Sequence, residues 1–241
     1  MKKERALVTG SNRGIGKAIA EKLYARGCYV VGTSTDGSGP EGFVDEWLKA
    51  DFSTINGIKH FCDFIEKMNA FDVLVNNAGI NIIKSQDKIN DYDYDKIENV
   101  NLKAPFYISR HVAKKMSNNE GGRIVNISSI WSIISKSHRT LYSTMKAGIN
   151  GMTRSMSVEW GNRRILINSI SPGFVKTELT KNSLSMEEMN NLENQIPLNR
   201  FAETNEIAEV VSFLVISKLS LIILSTNLSA DFLLIPRTSK A

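Results

Sequence analysis

In the stretch LYSTMKAG, Leu141 to Gly148, a tyrosine and a lysine stand four residues apart. On a helix, positions i and i+4 share a face. A phenol has an unperturbed pKa of about 10, and a neighbouring ammonium stabilises the phenolate and lowers that value toward working pH. Tyr142 and Lys146 therefore have the types and spacing of a proton donor and the cation that tunes it. Alone the pair is weak evidence, because Tyr and Lys at this spacing are common on solvated helices. A second stretch, VTGSNRGIG, carries Gly10, Gly14 and Gly16 in the pattern G-x-x-x-G-x-G. Small residues let the backbone approach a pyrophosphate, and a helix N-terminus offers free N–H groups and a positive dipole end. The run lies between a strand-like and a helix-like segment, so a dinucleotide site is the stronger reading than a plain turn.

Both stretches need elements to position them. Short β-rich runs (RALVT, CYVVGT, DVLVNN, RIVNIS, ILINSI) alternate with helical patterns such as GKAIAEKLYARG, in which Gly27 suits a C-cap. This alternation predicts an α/β fold with a parallel sheet covered on both faces, binding ligands beyond the carboxyl ends of its strands. The motifs fall at those ends. A chain of 241 residues suits one domain able to bury roughly 70–75% of its unfolded surface. With 42% apolar and 23% charged residues the composition is that of an ordinary soluble protein. The net charge of +5 carries no like-charge block; it suits a phosphorylated ligand and does not argue for nucleic acid. Cys28 and Cys62 stand far apart without metal-ligand spacing, as reduced thiols of a cytoplasmic protein do, and no metal site is expected. The start MKKERALVTG lacks the apolar run of a signal peptide. The late segment LSLIILSTNLSADFLLI, interrupted by Asn227 and Asp231, is too short and too polar to span a bilayer.

TGSNRGIG, NNAG (Asn76 to Gly79), NISS (Asn126 to Ser129), YSTMK and SPGFVKT (Ser171 to Thr177) occur in that order. In this succession the chain resembles the short-chain dehydrogenases/reductases, from about Ala6 to Leu214. The resemblance implies a single domain, a doubly wound Rossmann-type sheet of about seven strands, and an NAD(P)-dependent oxidoreductase acting on CH–OH groups. Reducing a carbonyl requires a hydride donor and a proton donor. By resemblance Tyr142 is the acid and Lys146 also holds the nicotinamide ribose hydroxyls. Ser129 hydrogen-bonds the substrate oxygen, while Ser128 closes the strand end. Asn101, in NVNLKAPF, matches an asparagine supporting a proton relay through water; the alternative is a helix-bending or capping role. The cofactor would be held by Gly10, Ser11, Asn12, Arg13, Gly14, Ile15 and Gly16, with Ser34 and Thr35 at the end of the second strand. Asp51 and Phe52 would meet the adenine, although Asp51 could instead cap a helix. Asn76, Asn77, Ala78 and Gly79 would line it, and Pro172, Gly173, Val175 and Thr177 would hold the carboxamide and a phosphate. Pro172-Gly173 is otherwise an ordinary turn.

The family position for the acid that selects NAD falls on neutral Ser34, and Arg13 matches the basic residue of NADP-using members, so NADP(H) is favoured over NAD(H). Asp36, two residues on, points the other way. The segment IWSIISKSHRT after Ser129 and a lid over about 177–200 would shape the substrate pocket; His138 either touches substrate or is incidental. The chain is most similar to the 3-oxoacyl-[acyl-carrier-protein] reductases of fatty acid biosynthesis. A sugar or nucleotide-sugar ketone is the alternative substrate, and a non-catalytic NADP-binding regulator the alternative of another class. The end departs from the family: Thr226 to Asp231 look like the last strand, but Leu224, Ser225, Phe232 and Leu233 stand where glycines are usual. Resemblance implies a homo-oligomer; the atypical tail (about 219–241) predicts a helix-mediated dimer with the tetramer weakened, and an apolar patch at Phe232–Ile235.

Overall fold

The computed structural model describes residues 3–116, 121–181, 185–216 and 223–225. The apolar runs become parallel strands β1 (Arg5–Val8), β2 (Tyr29–Ser34), β3 (Glu46–Lys49), β4 (Val73–Asn76), β5 (Gly122–Ile127), β6 (Ile165–Ser171) and the three-residue β7 (Ile223–Ser225). Their order in the sheet is β3-β2-β1-β4-β5-β6-β7. Between them run helices α1 (Gly14–Ala25), α2 (Ile55–Lys67), α3 (Asp91–Glu98), α4 (Ala104–Met116), α5 (Thr140–Trp160), α6 (Glu178–Lys181), α7 (Met186–Glu193) and α8 (Thr204–Ile216).

Strand residues alternate between two cores. Leu7, Leu74 and Ile124 face α2 and α4 through Ile58, Phe61, Ile108 and Val112. Ala6, Val8, Val75 and Val125 face α1 and α8 through Ile19, Leu23, Val211 and Leu214. Each fully buried Leu, Ile or Val contributes about 1.5–3 kcal/mol, so both faces must be covered. Cys62 and Cys28 are free thiols in opposite layers. Burial pushes Cys62 up to about 12 and raises Cys28, which keeps both as unreactive thiols.

The chain runs outward from β1 to β2 and β3, then returns to β4 on the other side of β1. That reversal opens a crevice at the carboxyl ends of β1 and β4. Gly27 takes φ 89 just past α1, and its N–H bonds the Tyr24 carbonyl at 2.8 Å. The strand expected over Thr226–Asp231, and the patch at Phe232–Ile235, lie outside the described residues. The described edge strand stands just before them, Ile223 pairing with Ser169 and Ser225 with Ser171. Among the described residues no helix is long and apolar enough to cross a membrane.

Candidate active site

The ends of β1 and β4 are latched together. Thr9 Oγ1 accepts from the Asn77 and Ala78 N–H groups, each at 3.0 Å. Asn77 Nδ2 donates to the Thr9 and Gly10 carbonyls, each at 2.9 Å. A Cβ added at Gly16 would lie 2.1 Å from the Gly10 carbonyl oxygen and 2.3 Å from Asn77 Nδ2, so only glycine lets α1 start this close to the strand end. Gly10 adds φ 64 to the same turn. A cleft of about 610 Å³ extends from this loop. Its volume, its glycine cradle and the N-terminus of α1 fit a nicotinamide dinucleotide, pyrophosphate at the loop.

Most residues expected at the cofactor border the cleft: Gly10, Asn12, Arg13, Gly14, Ile15 and Gly16 on the loop, Ser34, Thr35, Asp51 and Phe52 on one wall, Asn77, Ala78 and Gly79 after β4, and Pro172, Gly173, Val175 and Thr177 after β6. Two lie behind it. Ser11 is fully buried, its Oγ accepting from Thr33 N–H at 3.1 Å. Asn76 points into the sheet, donating to Ser109 Oγ and Asn126 Oδ1. The capping role left open for Asp51 belongs to Thr54, which accepts from Gly57 N–H at 3.1 Å; Asp51 instead accepts from Ser53 N–H. Ser34 Oγ donates to Asp36 Oδ1 at 2.8 Å and accepts from the Gly37 and Ser38 N–H groups. The Asp36 carboxylate is thus held in its own turn, where bonds from Ser34 and Ser38 lower its pKa. Arg13 is exposed and meets Glu178 of α6 at 3.4 Å, a surface pair that contributes little.

At the inner end of the cleft stand Ser129, Tyr142 and Lys146. Ser129 follows β5 and borders the cleft with Tyr142, whose pKa its hydroxyl lowers. Lys146 is 4% exposed; its Nζ donates to the Ile127 carbonyl at 2.7 Å and lies 5.6 Å from the centre of the Tyr142 ring. Burial pushes Lys146 down to about 8. Ser128 Oγ bonds the Lys146 carbonyl at 3.0 Å, tying β5 to α5. Tyr142 departs from expectation. Its pKa is raised, because burial of the phenol outweighs the hydrogen bond from Ser129 and the charge of Arg139 that both lower it. The tuning expected from Lys146 alone is not the dominant effect.

Asn101 sits in a π-turn, Asn99–Lys103, between α3 and α4. Such turns bulge a helix and often occur at functional sites. Its Oδ1 accepts from Ile80 N–H and its Nδ2 donates to the Ile80 carbonyl, both at 2.8 Å. A Cβ at Gly79 would stand 3.6 Å from Asn101 Oδ1 and 3.7 Å from Lys146 Nζ, so the two side chains flank this glycine. His138 is exposed and outside the cleft lining, as expected of an incidental histidine; His111 Nδ1 bonds the Tyr107 carbonyl within its own helix. Missed by the sequence reading were Tyr92 and Lys96, which line the cleft from α3, the ammonium 5.5 Å from the ring centre. Their i, i+4 spacing just ahead of Asn101 was the available signal.

Known proteins bear on this geometry. A family model described as short chain dehydrogenase matches residues 4–188. The 3-oxoacyl-[acyl-carrier-protein] reductase FabG of Aquifex aeolicus is 38% identical over 220 residues, covering 87% of this chain and 88% of the relative. A structure from Beutenbergia cavernae, described as an NAD(P)-dependent gluconate 5-dehydrogenase and holding NADP at low occupancy, superposes with TM-score 0.81 at 26% identity, covering 92% and 94% of the two chains. The aldohexose dehydrogenase of Thermoplasma acidophilum does so with TM-score 0.81 at 26% identity, covering 93% and 92%. The crevice at the sheet's reversal, the glycine cradle and these matches converge: the chain belongs to the short-chain dehydrogenase family and is an NAD(P)-dependent oxidoreductase acting on CH–OH groups.

Proposed function

We propose that the chain is an NADPH-dependent reductase of a 3-oxoacyl thioester, with Tyr142 as proton donor. The observation that carries this reading is the meeting of Ser129, Tyr142 and Lys146 at the inner end of a dinucleotide-sized cleft. The bound cofactor supplies the hydride. Ser129 and Tyr142 together hold the carbonyl oxygen through their hydroxyls, and Tyr142 O–H gives it a proton as negative charge develops. Lys146, 5.6 Å from the Tyr142 ring centre, would bind the nicotinamide ribose and favour the phenolate left behind. Asn101 and Lys146 both come near Gly79, and a water held there would return a proton to Tyr142. Arg13 and Thr177, which border the cleft at the glycine loop, would hold phosphate groups. Preference for NADPH is supported by neutral Ser34, by the Asp36 carboxylate held in its own turn, and by the exposed Arg13 at the cleft.

The thioester is supported by the curated relatives that share most of the chain. A sugar ketone is the second reading, favoured by the names of structural neighbours that act on gluconate and aldohexose. NADPH oxidation against 3-oxoacyl thioesters of N-acetylcysteamine, small diketones and ketosugars tests these readings. Fastest turnover of the thioesters is expected; fastest turnover of ketosugars would transfer the enzyme to the second class, and no turnover of any would favour a cofactor-binding regulator. The same proposal includes a cytoplasmic location, supported by the two free cysteines. It also includes a dimer through α4 and α5, supported by exposed Phe106 and Val158 on those helices.

A further inference from the structure

Asn150 lies on α5 one helical turn beyond Lys146 and two beyond Tyr142, so the three share a face of the helix. It is 5% exposed, and no step of the proposed reaction uses it. Its Nδ2 donates to Ser132 Oγ at 2.7 Å, and its Oδ1 accepts from Ser169 Oγ of β6 at 3.0 Å. Ser132 Oγ donates in turn to the Ser129 carbonyl at 2.6 Å, with a longer contact of 3.4 Å to Ser171 Oγ. The bonds run in one direction. A hydroxyl has a single proton, and Ser132 can give it to Ser129 because Asn150 offers Ser132 an N–H. Ser129 stands between β5 and a single helical turn, Ile130–Ser132. Its carbonyl also accepts from Ser132 N–H at 2.9 Å, and its Oγ accepts from Trp131 N–H at 3.3 Å. An oxygen that accepts there keeps its own O–H to donate, as holding a substrate oxygen requires.

We infer that Asn150 is a positioning residue for this reaction: through Ser132 it fixes the Ser129 peptide against the helix face that carries Tyr142 and Lys146. Other bonds tie β5 to α5. Asn126 Nδ2 donates to Thr153 Oγ1, Lys146 Nζ to the Ile127 carbonyl, and Ser128 Oγ to the Lys146 carbonyl. None of these reaches Ser129. The hydroxyl pair of Ser135 and Ser143, at 3.0 Å, lies on the exposed side beyond it. Ile133 to His138, which follow the turn, are exposed, so its anchor lies on the inner side, where Ile130 N–H also donates to the Pro172 carbonyl at 2.8 Å. A substrate oxygen must meet the Ser129 and Tyr142 hydroxyls together, and an ångström of misplacement can cost about 100-fold in rate. The Asn150 amide carries no charge, so what it supplies is geometry.

The inference rests on the reading of Ser129 and Tyr142 as the pair that holds the carbonyl oxygen, and two readouts on the full chain separate them. The first is kcat with the ketone of the panel above that reacts fastest. Asn150→Leu keeps the volume and removes the amide; Ser132→Ala removes the hydroxyl, and Ser132→Thr keeps it. Asn150→Leu and Ser132→Ala are each expected to lower kcat about tenfold, less than a full ångström of misplacement costs, with NADPH affinity by cofactor fluorescence unchanged. The double variant should fall no further than either single one, because the same chain of bonds is broken, and Ser132→Thr should recover most of the turnover. The second readout needs no substrate. Amide hydrogen exchange over 129–134 should quicken about tenfold in Asn150→Leu, the scale of one lost buried bond, while the glycine loop exchanges as in the wild type. Full kcat in folded Asn150→Leu, losses that multiply in the double variant, or a fall in NADPH affinity that matches the fall in kcat overturns the inference; if Asn150→Leu does not fold, full kcat in Ser132→Ala overturns it. Should exchange quicken in the turn while Ser129→Ala keeps full turnover, the anchoring stands and the reading of Ser129 falls.

Discussion

Lys146→Met should reveal, in stability, the cost at which the active site keeps its ammonium. Lys146 is 4% exposed, and burial lowers its pKa from 10.5 to about 8. Below pH 8 the folded and unfolded chains both hold the proton, and the folded state carries the whole cost of the buried charge. Between about 8 and 10.5 the native state has released a proton that the unfolded chain still binds, so wild-type stability rises with pH across that window. At 1.36 kcal/mol per unit the rise is about 3 kcal/mol. Methionine has no proton to lose. The stability of Lys146→Met relative to the wild type should therefore fall by about 3 kcal/mol as pH climbs through the window. The lost bond to the Ile127 carbonyl costs about 1 kcal/mol at any pH and moves the level of the difference without changing its slope. Urea unfolding of both proteins at matched concentration, from pH 7 upward, measures the difference, in which all other titrating groups cancel. A difference that stays constant with pH would refute the argument that burial sets the Lys146 ionisation.

Tyr142→Phe removes the proton and keeps the ring; NADPH binding, followed by cofactor fluorescence, should stay nearly intact while turnover drops at least ~100-fold. Arg13→Ala should weaken NADPH far more than NADH in the same titration, because only NADPH carries the extra phosphate, and equal losses would remove Arg13 from phosphate recognition. Gly16→Ala drives a methyl to 2.1 Å from the Gly10 carbonyl; it should break the Asn77 latch, abolish binding of both cofactors and cost about 1–3 kcal/mol in urea unfolding, and a variant binding NADPH normally would show that the loop is not the cradle.

How much of this was legible in the sequence depends on how local each feature is. The glycine loop, the end of β4, and the Ser129, Tyr142 and Lys146 cluster could be placed because their spacings fix which face or strand end they occupy. Strand β3 was not, since Glu46–Lys49 is four residues long and half charged, and it pairs only with the edge of β2. The i, i+4 spacing of Tyr92 and Lys96 shows that they share a face, but that this face borders the cleft follows only from the packing of α3. The fate of Asp36 turned on the hydroxyl of Ser34, a residue read for its lack of charge rather than for its bonds. Ionisation was the least legible property of all. The i, i+4 pair correctly put a cation beside a phenol, but the direction in which the phenol shifts depends on how much water the fold removes from each. Here it removes enough to raise Tyr142 and to lower Lys146 together.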